Sequence, residues 1–516
     1  MLDLLFKKVE PIVDLLSKNR IVETQKLDGM RYIPCAYKKE NNNPPAPDAG
    51  WMEFPAGTRV SGRDGHFWFH LQFTTPAAQE HRQVQFHLDT SRDGNWDGIN
   101  PQCAIYMDGK IVQGLDINHQ DALLKFDTQY DIYLYFYIGM TDIMIDVIPS
   151  LQILDTRIEG LYYDISVPYE TLKLFEQNDD EYVTILRELH QALLLLDLRE
   201  VHSPAFYDSV VAARKYLDEH FYHGICGKSE SVVNCIGHTH IDVAWQWTLA
   251  QTEEKAQRSF ATVINLMKQY PEYKFMSSQP QLYQYVKKYA PELYENIKQA
   301  VKDGRWEAEG AMWLEADCNL TSGESLVRQI LFGKRFMREE FGVDNKILWL
   351  PDVFGYSAAL PQILQKSGVD KFVTSKISWN EYNRLPYDTF LWEGIDGTEI
   401  FTYFMTAQDC QKRGDEPQIG TTYVGYIRPS QVLGAWNRYQ PKGYNNETVI
   451  TYGYGDGGGG PTKDMIEQQR RLQYGLPGFP VPRWIRRRHF WIGWSKTSKK
   501  AARFTKRCPS GWASCI

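Results

Sequence analysis

At 516 residues the chain is too long for one small module and suggests roughly three or four domains of about 100–200 residues each. Hydrophobic residues make up 43%, charged residues 23% and aromatics 14%, a balance too apolar for intrinsic disorder and able to fill a large core. Lysine plus arginine number 57 against 64 acids, and the net charge of −7 disfavours nucleic acid as a partner.

The opening run MLDLLFKKVEPIVDLLSK predicts an amphipathic helix in residues 1–31; Asp3, Lys7 and Lys8 interrupt its apolar positions, unlike a secretory leader. Residues 32–165 change to short alternating runs such as HFWFHLQF, in which Phe67, Phe69, Leu71 and Phe73 oppose Trp68, His70 and Gln72. Such runs, punctuated by Gly, Pro and Asn, predict a β-sandwich, with Asp108-Gly109 as a tight hairpin turn. The most apolar stretch, DIYLYFYIGMTDIMIDVI, is broken by Asp142 and Asp146, so no membrane partner is expected. The eight cysteines form no CxxC pair, and Cys235 with His238 lacks the second pair of a structural zinc motif; a reducing cytoplasm is the expected location.

Residues 166–230, including EYVTILRELHQALLLLDLRE, take a helical period and predict a helical linker. From 231 to 481 apolar runs alternate with amphipathic helices: VVNCIG, KFMSS, RWEAEGAMW, KILWLP and KFVTSK each meet a helical pattern. Parallel strands joined by crossovers follow, in an α/β barrel or a doubly wound sheet, with the chemistry at the carboxyl ends of the strands.

Three strand ends carry candidate chemistry. His238, His240 and Asp242 follow VVNCIG; Asp352 follows KILWLP; Asp456 follows ETVITYGYG and opens the run Gly457 to Gly460. Imidazole and carboxylate are zinc ligands, and paired carboxylates serve glycoside hydrolysis. Structural pairs, a helix N-cap at Asp352 and a phosphate-binding loop at Gly457 are the competing readings, the last without the Lys-Ser/Thr of a P-loop. Glu315 and Asp317 beside Trp313 form a fourth cluster, and Trp245 and Trp313 offer apolar faces to a pyranose. A metal-dependent deacetylase uses similar ligands and stays open on the residues alone.

The runs GHTHIDVAWQW, WLEADCNLTSGESLVRQ, LWLPDVFGYSAALPQIL and YGYGDGGGGPT, in that order, resemble the α-mannosidases of glycoside hydrolase family 38, in their cytosolic and bacterial branch. The resemblance implies a multidomain α/β-plus-β chain: an N-terminal β-sandwich, a helical linker and a distorted β/α barrel. It implies a retaining hydrolase of terminal α-linked mannose in oligosaccharides, with one Zn2+ per chain or another divalent ion in its place. By position, His240, Asp242 and Asp352 match metal ligands, Asp352 also the nucleophile, and Asp456 the general acid/base. Trp245, Trp313, Glu315, Asp317 and Trp379 are candidate wall residues, and His238 is expected outside the ligand set. To donate, Asp456 must carry a proton, so its surroundings are expected to raise its pKa.

The family's fourth ligand, a histidine in a Leu-Tyr-Leu-Glu-x-His-Arg-Gly-type run, has no match in these residues, and the expectation is a chain truncated before the family's C-terminal domains. Residues 482–516, RWIRRRHFWIGWSKTSKKAARFTKRCPSGWASCI from Arg483, turn basic and lose their acids, which predicts a non-native, out-of-frame tail. One codon choice for Lys506–Ile516, read two bases later, gives Lys-Met-Pro-Glu-Trp-Val-Gly-Glu-Leu-Tyr, close to the family's approach to that histidine. Weakened zinc binding, impaired turnover and apolar surface open to homo-oligomer formation are the expected consequences. The alternative from another class is a non-catalytic carbohydrate-binding protein that uses the β-sandwich.

Overall fold

The computed structural model describes residues 2–37, 44–46, 50–92, 101–380, 382, 385, 387–443 and 445–484. The chain divides into two compact units, one of Met1–Lys228, Ala244–Asn265 and Gly457–Gly478, the other of Ser229–Val243, Leu266–Asp456 and Phe479–Ile516. No helix among the described residues is long and apolar enough to cross a membrane.

The first unit opens with the helix Leu2–Asn19 and is built on two antiparallel sheets. Four strands run in the order Ile21–Lys26, Ile148–Asp155, Arg82–Asp89, Asp121–Leu124. Six run in the order Met52–Glu53, Arg31–Cys35, His66–Thr74, Gln129–Tyr137, Gln102–Met107, Lys110–Leu115. Alternation along His66–Thr74 sends Phe69 and Leu71 into a core shared with Val84, Phe86 and Leu151 of the other sheet, so the two sheets pack face to face. Full burial of each such side chain is worth about 1.5–3 kcal/mol. The opposite face is buried as well, with Trp68 clustered among Ala104, Tyr106 and Tyr135. Asp108 and Gly109, both at positive φ, close the two-residue hairpin in which Met107 pairs with Lys110, as expected of that dipeptide.

Two boundaries differ from the sequence expectation. The first 31 residues are not helical throughout: Ile21–Lys26 pairs antiparallel with Ile148–Asp155. The helical segment begins at Thr156 rather than 166, because Asp155 ends the strand and caps the helix Thr156–Leu172, accepting from the amides of Arg157 and Ile158. The helices Asp180–Leu194 and Pro204–Tyr216 follow.

In the second unit, Val232–His238 pairs in parallel with Glu447–Tyr452 along one edge. Its other edge is divided between Val481–Trp484 and Phe275–Ser277, and Trp306–Ala308 follows outside the latter. Pro482, Arg483 and Trp484 therefore belong to a strand, and the change in composition there does not coincide with the end of the fold; residues 485–516 of the expected tail lie outside the described residues. A second sheet takes Ile347–Leu350, Lys371–Thr374 and Glu399–Phe404 in parallel, with Thr389–Glu393 antiparallel at its edge. A parallel bridge between Gly310 and Leu348 joins the two sheets. Between Glu399–Phe404 and Glu447–Tyr452 the connection is made by Tyr403, whose hydroxyl accepts from the Val449 amide at 2.9 Å. Met276, Trp349, Val373, Tyr403 and Val449 form one interior cluster, so the strands of both sheets face a common core.

A buried ion pair pins one side of this unit: Arg438 Nη1 lies 2.7 Å from Asp388 Oδ1, with side chains only 3% and 1% exposed. Asp388→Ala leaves a buried guanidinium without that carboxylate and is expected to destabilise the unit by about 3–5 kcal/mol. Urea denaturation followed by tryptophan fluorescence measures the loss.

Candidate active site

Parallel strands that start on one side of a sheet also end together on the other, and the second unit uses those ends to gather its reactive side chains. His240 comes two residues after Val232–His238, and Asp352 two residues after Ile347–Leu350. Lys376 comes two residues after Lys371–Thr374, and Asp456 four after Glu447–Tyr452. Glycine lets the last of these loops come close: a Cβ on Gly455 would sit 2.7 Å from the Val424 side chain and 3.5 Å from His240 Cβ. Asp456 itself adopts a left-handed φ of 52°, which Asp tolerates better than most residues.

His240 is the centre of the cluster. Its side chain is 4% exposed, with Nε2 3.3 Å from Asp242 Oδ1 and 3.6 Å from Asp352 Oδ2. On the other side of the ring, Nδ1 lies 2.8 Å from Glu315 Oε2. Burial by itself lowers the His240 pKa; Glu315 and Asp242 outweigh it and hold the imidazole well above its ordinary value. His238, two residues earlier, is pushed down to about 3 by burial and by the charge of His240, and its Nε2 accepts from the Trp349 indole at 3.3 Å. It packs as a neutral core histidine.

Asp352 and Asp456 both lie close to this imidazole. A ligand atom from each of His240, Asp352 and Asp456 lies within 4.8 Å of the other two. Tyr423, which sequence reasoning did not single out, donates from its hydroxyl to Asp456 Oδ1 at 2.9 Å. Burial, followed by the charges of Asp456 and Asp352, drives the Tyr423 pKa far upward, so it remains a donor. Burial also raises the pKa of Asp456, opposed by His240 and the Tyr423 hydrogen bond and reinforced by Asp242 and Asp352. Lys376, also missed, places Nζ 2.7 Å from Asp352 Oδ1.

The donor set suits a divalent cation. His240 Nε2 is buried without a hydrogen bond and points between two carboxylates, while Glu315 behind Nδ1 is positioned to fix the tautomer that leaves Nε2 as ligand. His240, Asp352 and Asp456 could thus hold a metal, with the expected ligand Asp242 beside His240 Nε2. A cation and a proton compete for Nε2.

The expected wall residues scatter. Glu315 is not on an open wall: its carboxylate is 4% exposed, bonded to Ser278 at 2.6 Å and set against His240. Asp317 caps its own turn, accepting from the amides of Asn319 and Leu320. Trp313 donates to Gln281 at 3.1 Å and lines a cavity of 430 Å³ with Ser325, Arg328, Gln329 and Phe332. Trp379 is 58% exposed, its indole fixed to the Thr421 carbonyl and one ring face against the Lys376 ammonium at 4.3 Å. Trp245 lies in the first unit, exposed and edge-on to Trp247.

Residues 230–497 match the glycosyl hydrolases family 38 N-terminal domain, a span that contains the whole His240–Asp352–Asp456 cluster. The chain belongs to glycosyl hydrolase family 38. Among relatives, it is 32% identical to alpha-mannosidase G of Dictyostelium discoideum, over 78% of this chain and 37% of that protein. It is 32% identical to human alpha-mannosidase 2C1, over 80% of this chain and 39% of the relative. With the alpha-mannosidase of Saccharomyces cerevisiae it shares 37% identity over 58% of this chain and 25% of the relative. The family 38 chain thus spans well under half the length of these curated relatives.

Proposed function

We propose that this family 38 chain carries the catalytic centre of a retaining, zinc-dependent α-mannosidase that removes terminal α-linked mannose from oligosaccharides. One observation carries the reading: oxygens of Asp352 and Asp456 lie within 4.8 Å of each other beside a buried imidazole. Retaining glycosidases keep their two carboxyl groups about 5–5.5 Å apart, whereas inverting ones leave about 6.5–9.5 Å for a water. Oxygens this close suit the retaining spacing rather than the inverting one, and so direct attack.

In this reading Asp352 attacks the anomeric carbon as its carboxylate while Asp456 protonates the departing glycosidic oxygen. The glycosyl ester on Asp352 is then hydrolysed by water that Asp456 deprotonates. The raised pKa of Asp456 suits its first role, and Tyr423 keeps its oxygen directed. Zinc held by His240, Asp242 and Asp352 would bind mannose hydroxyls and favour the flattened ring of the transition state. The two strand groups around one interior are the proposed distorted β/α barrel, and the paired antiparallel sheets the β-sandwich. The buried or half-buried Cys103, Cys226, Cys235, Cys318 and Cys410 are free thiols, which suits a reducing cytoplasm.

The test is hydrolysis of an aryl α-mannoside by the purified chain. Turnover that is lost on chelation, restored by zinc and yields α-mannose first is expected. Formation of β-mannose first, or turnover indifferent to chelation, would sink the reading.

A further inference from the structure

The two oxygens of Asp352 have different neighbours. Oδ2 faces His240 Nε2 at 3.6 Å, on the side of Asp242. Oδ1 is 2.7 Å from Lys376 Nζ. Lys376 is itself held on several sides: its ammonium lies 4.3 Å from the centre of the Trp379 ring and 5.5 Å from that of Tyr423. The Trp379 indole is fixed by a 2.6 Å hydrogen bond to the Thr421 carbonyl. The backbone repeats the link, because the Lys376 amide donates to the carbonyl of Pro351, the residue before Asp352, at 3.2 Å.

We propose that Lys376 is a positioning residue that divides the Asp352 carboxylate, holding Oδ1 so that Oδ2 faces the cation-binding cluster around His240. An aspartate carboxylate turns readily about its last torsion, where the wells are broad and nearly two-fold. An ammonium fixed by two aromatic rings and a backbone bond removes that freedom. Its charge has a second effect. The carboxylates of Asp242, Glu315, Asp352 and Asp456 surround one imidazole, and Lys376 offsets part of their charge, so it opposes a divalent cation while orienting one of that cation's ligands. Two consequences of opposite sign follow for one substitution: tighter metal, poorer chemistry. The kinetic consequence rests on the mannosidase reading; the metal consequence does not.

The experiment compares the parent chain with Lys376→Met and Lys376→Arg. Titration with zinc alone, read by competition with a chelating dye, is expected to show about tenfold tighter binding in Lys376→Met. Lys376→Arg, which keeps the charge, is expected within threefold of the parent. With an aryl α-mannoside, kcat of Lys376→Met is expected to fall by about 10²-fold with KM little changed, and Lys376→Arg to recover most of the loss. Circular-dichroism melting of each variant establishes that it is folded. Zinc binding by Lys376→Met that is weaker than, equal to or, like the parent's, too weak to measure overturns the proposal. A parent chain that binds zinc but hydrolyses nothing refutes the mannosidase reading alone, since the titration still decides the role of Lys376.

Discussion

Asp352→Ala is expected to lower kcat/KM for an aryl α-mannoside by about 10⁴-fold or more, the loss typical of removing a catalytic nucleophile. The geometry makes this the substitution with the largest effect, because Asp352 meets both His240 and Lys376 and its oxygen lies within 4.8 Å of Asp456. Without its carboxylate neither the glycosyl ester nor the cation site can form as proposed. Asp352→Asn separates the two losses from any effect of an emptied space, since it keeps the shape and removes the charge. A fluorinated mannosyl fluoride that traps the ester gives an independent reading by mass spectrometry. Label on the tryptic peptide containing Asp352 is expected in the parent and absent from both variants; label elsewhere would place the nucleophile elsewhere.

Much of this centre is legible in the sequence because reactive groups directly past apolar runs have few structural reasons to be there. His240, Asp352 and Asp456 stand out on that ground, and the fold brings all three together. The same ground was less informative about side-chain direction. Glu315 lies farther past its strand, which ends at Ala308, and its carboxylate turns inward against His240 and Ser278, a distinction that depends on tertiary packing. Lys376 is the last residue of KFVTSK and follows its strand at the same offset as Asp352 follows its own, so cations past strand ends carry the same signal as acids and imidazoles. Tyr423 gives no such signal. It sits in an irregular segment and reaches Asp456 because its neighbour Gly425 bridges to Tyr452. At the level of fold, alternation revealed strands of the two antiparallel sheets, whereas the early helix start at Thr156 depended on one residue, Asp155, ending a strand and capping a helix.

Asp456→Ala is expected to show a loss that depends on the leaving group. A natural mannoside, whose departing alkoxide must be protonated, is expected to lose about 10²–10⁴-fold in kcat/KM. A dinitrophenyl mannoside, whose phenolate leaves without a proton, is expected to lose far less in the first step and then to stall at the ester, where Asp456 would activate water. Added azide, a nucleophile that needs no base, is expected to relieve that stall and give a mannosyl azide. The pH profile supplies the matching test. Donation requires protonated Asp456, so activity falls as pH rises through its pKa; burial raises that pKa, which places the falling limb above the ordinary aspartate value. Tyr423 donates to the Asp456 carboxylate and so favours its anion. Tyr423→Phe removes that support, and the falling limb of kcat/KM is expected to move to higher pH. A limb that stays in place in Tyr423→Phe and is still present in Asp456→Ala would assign the titrating acid to another residue.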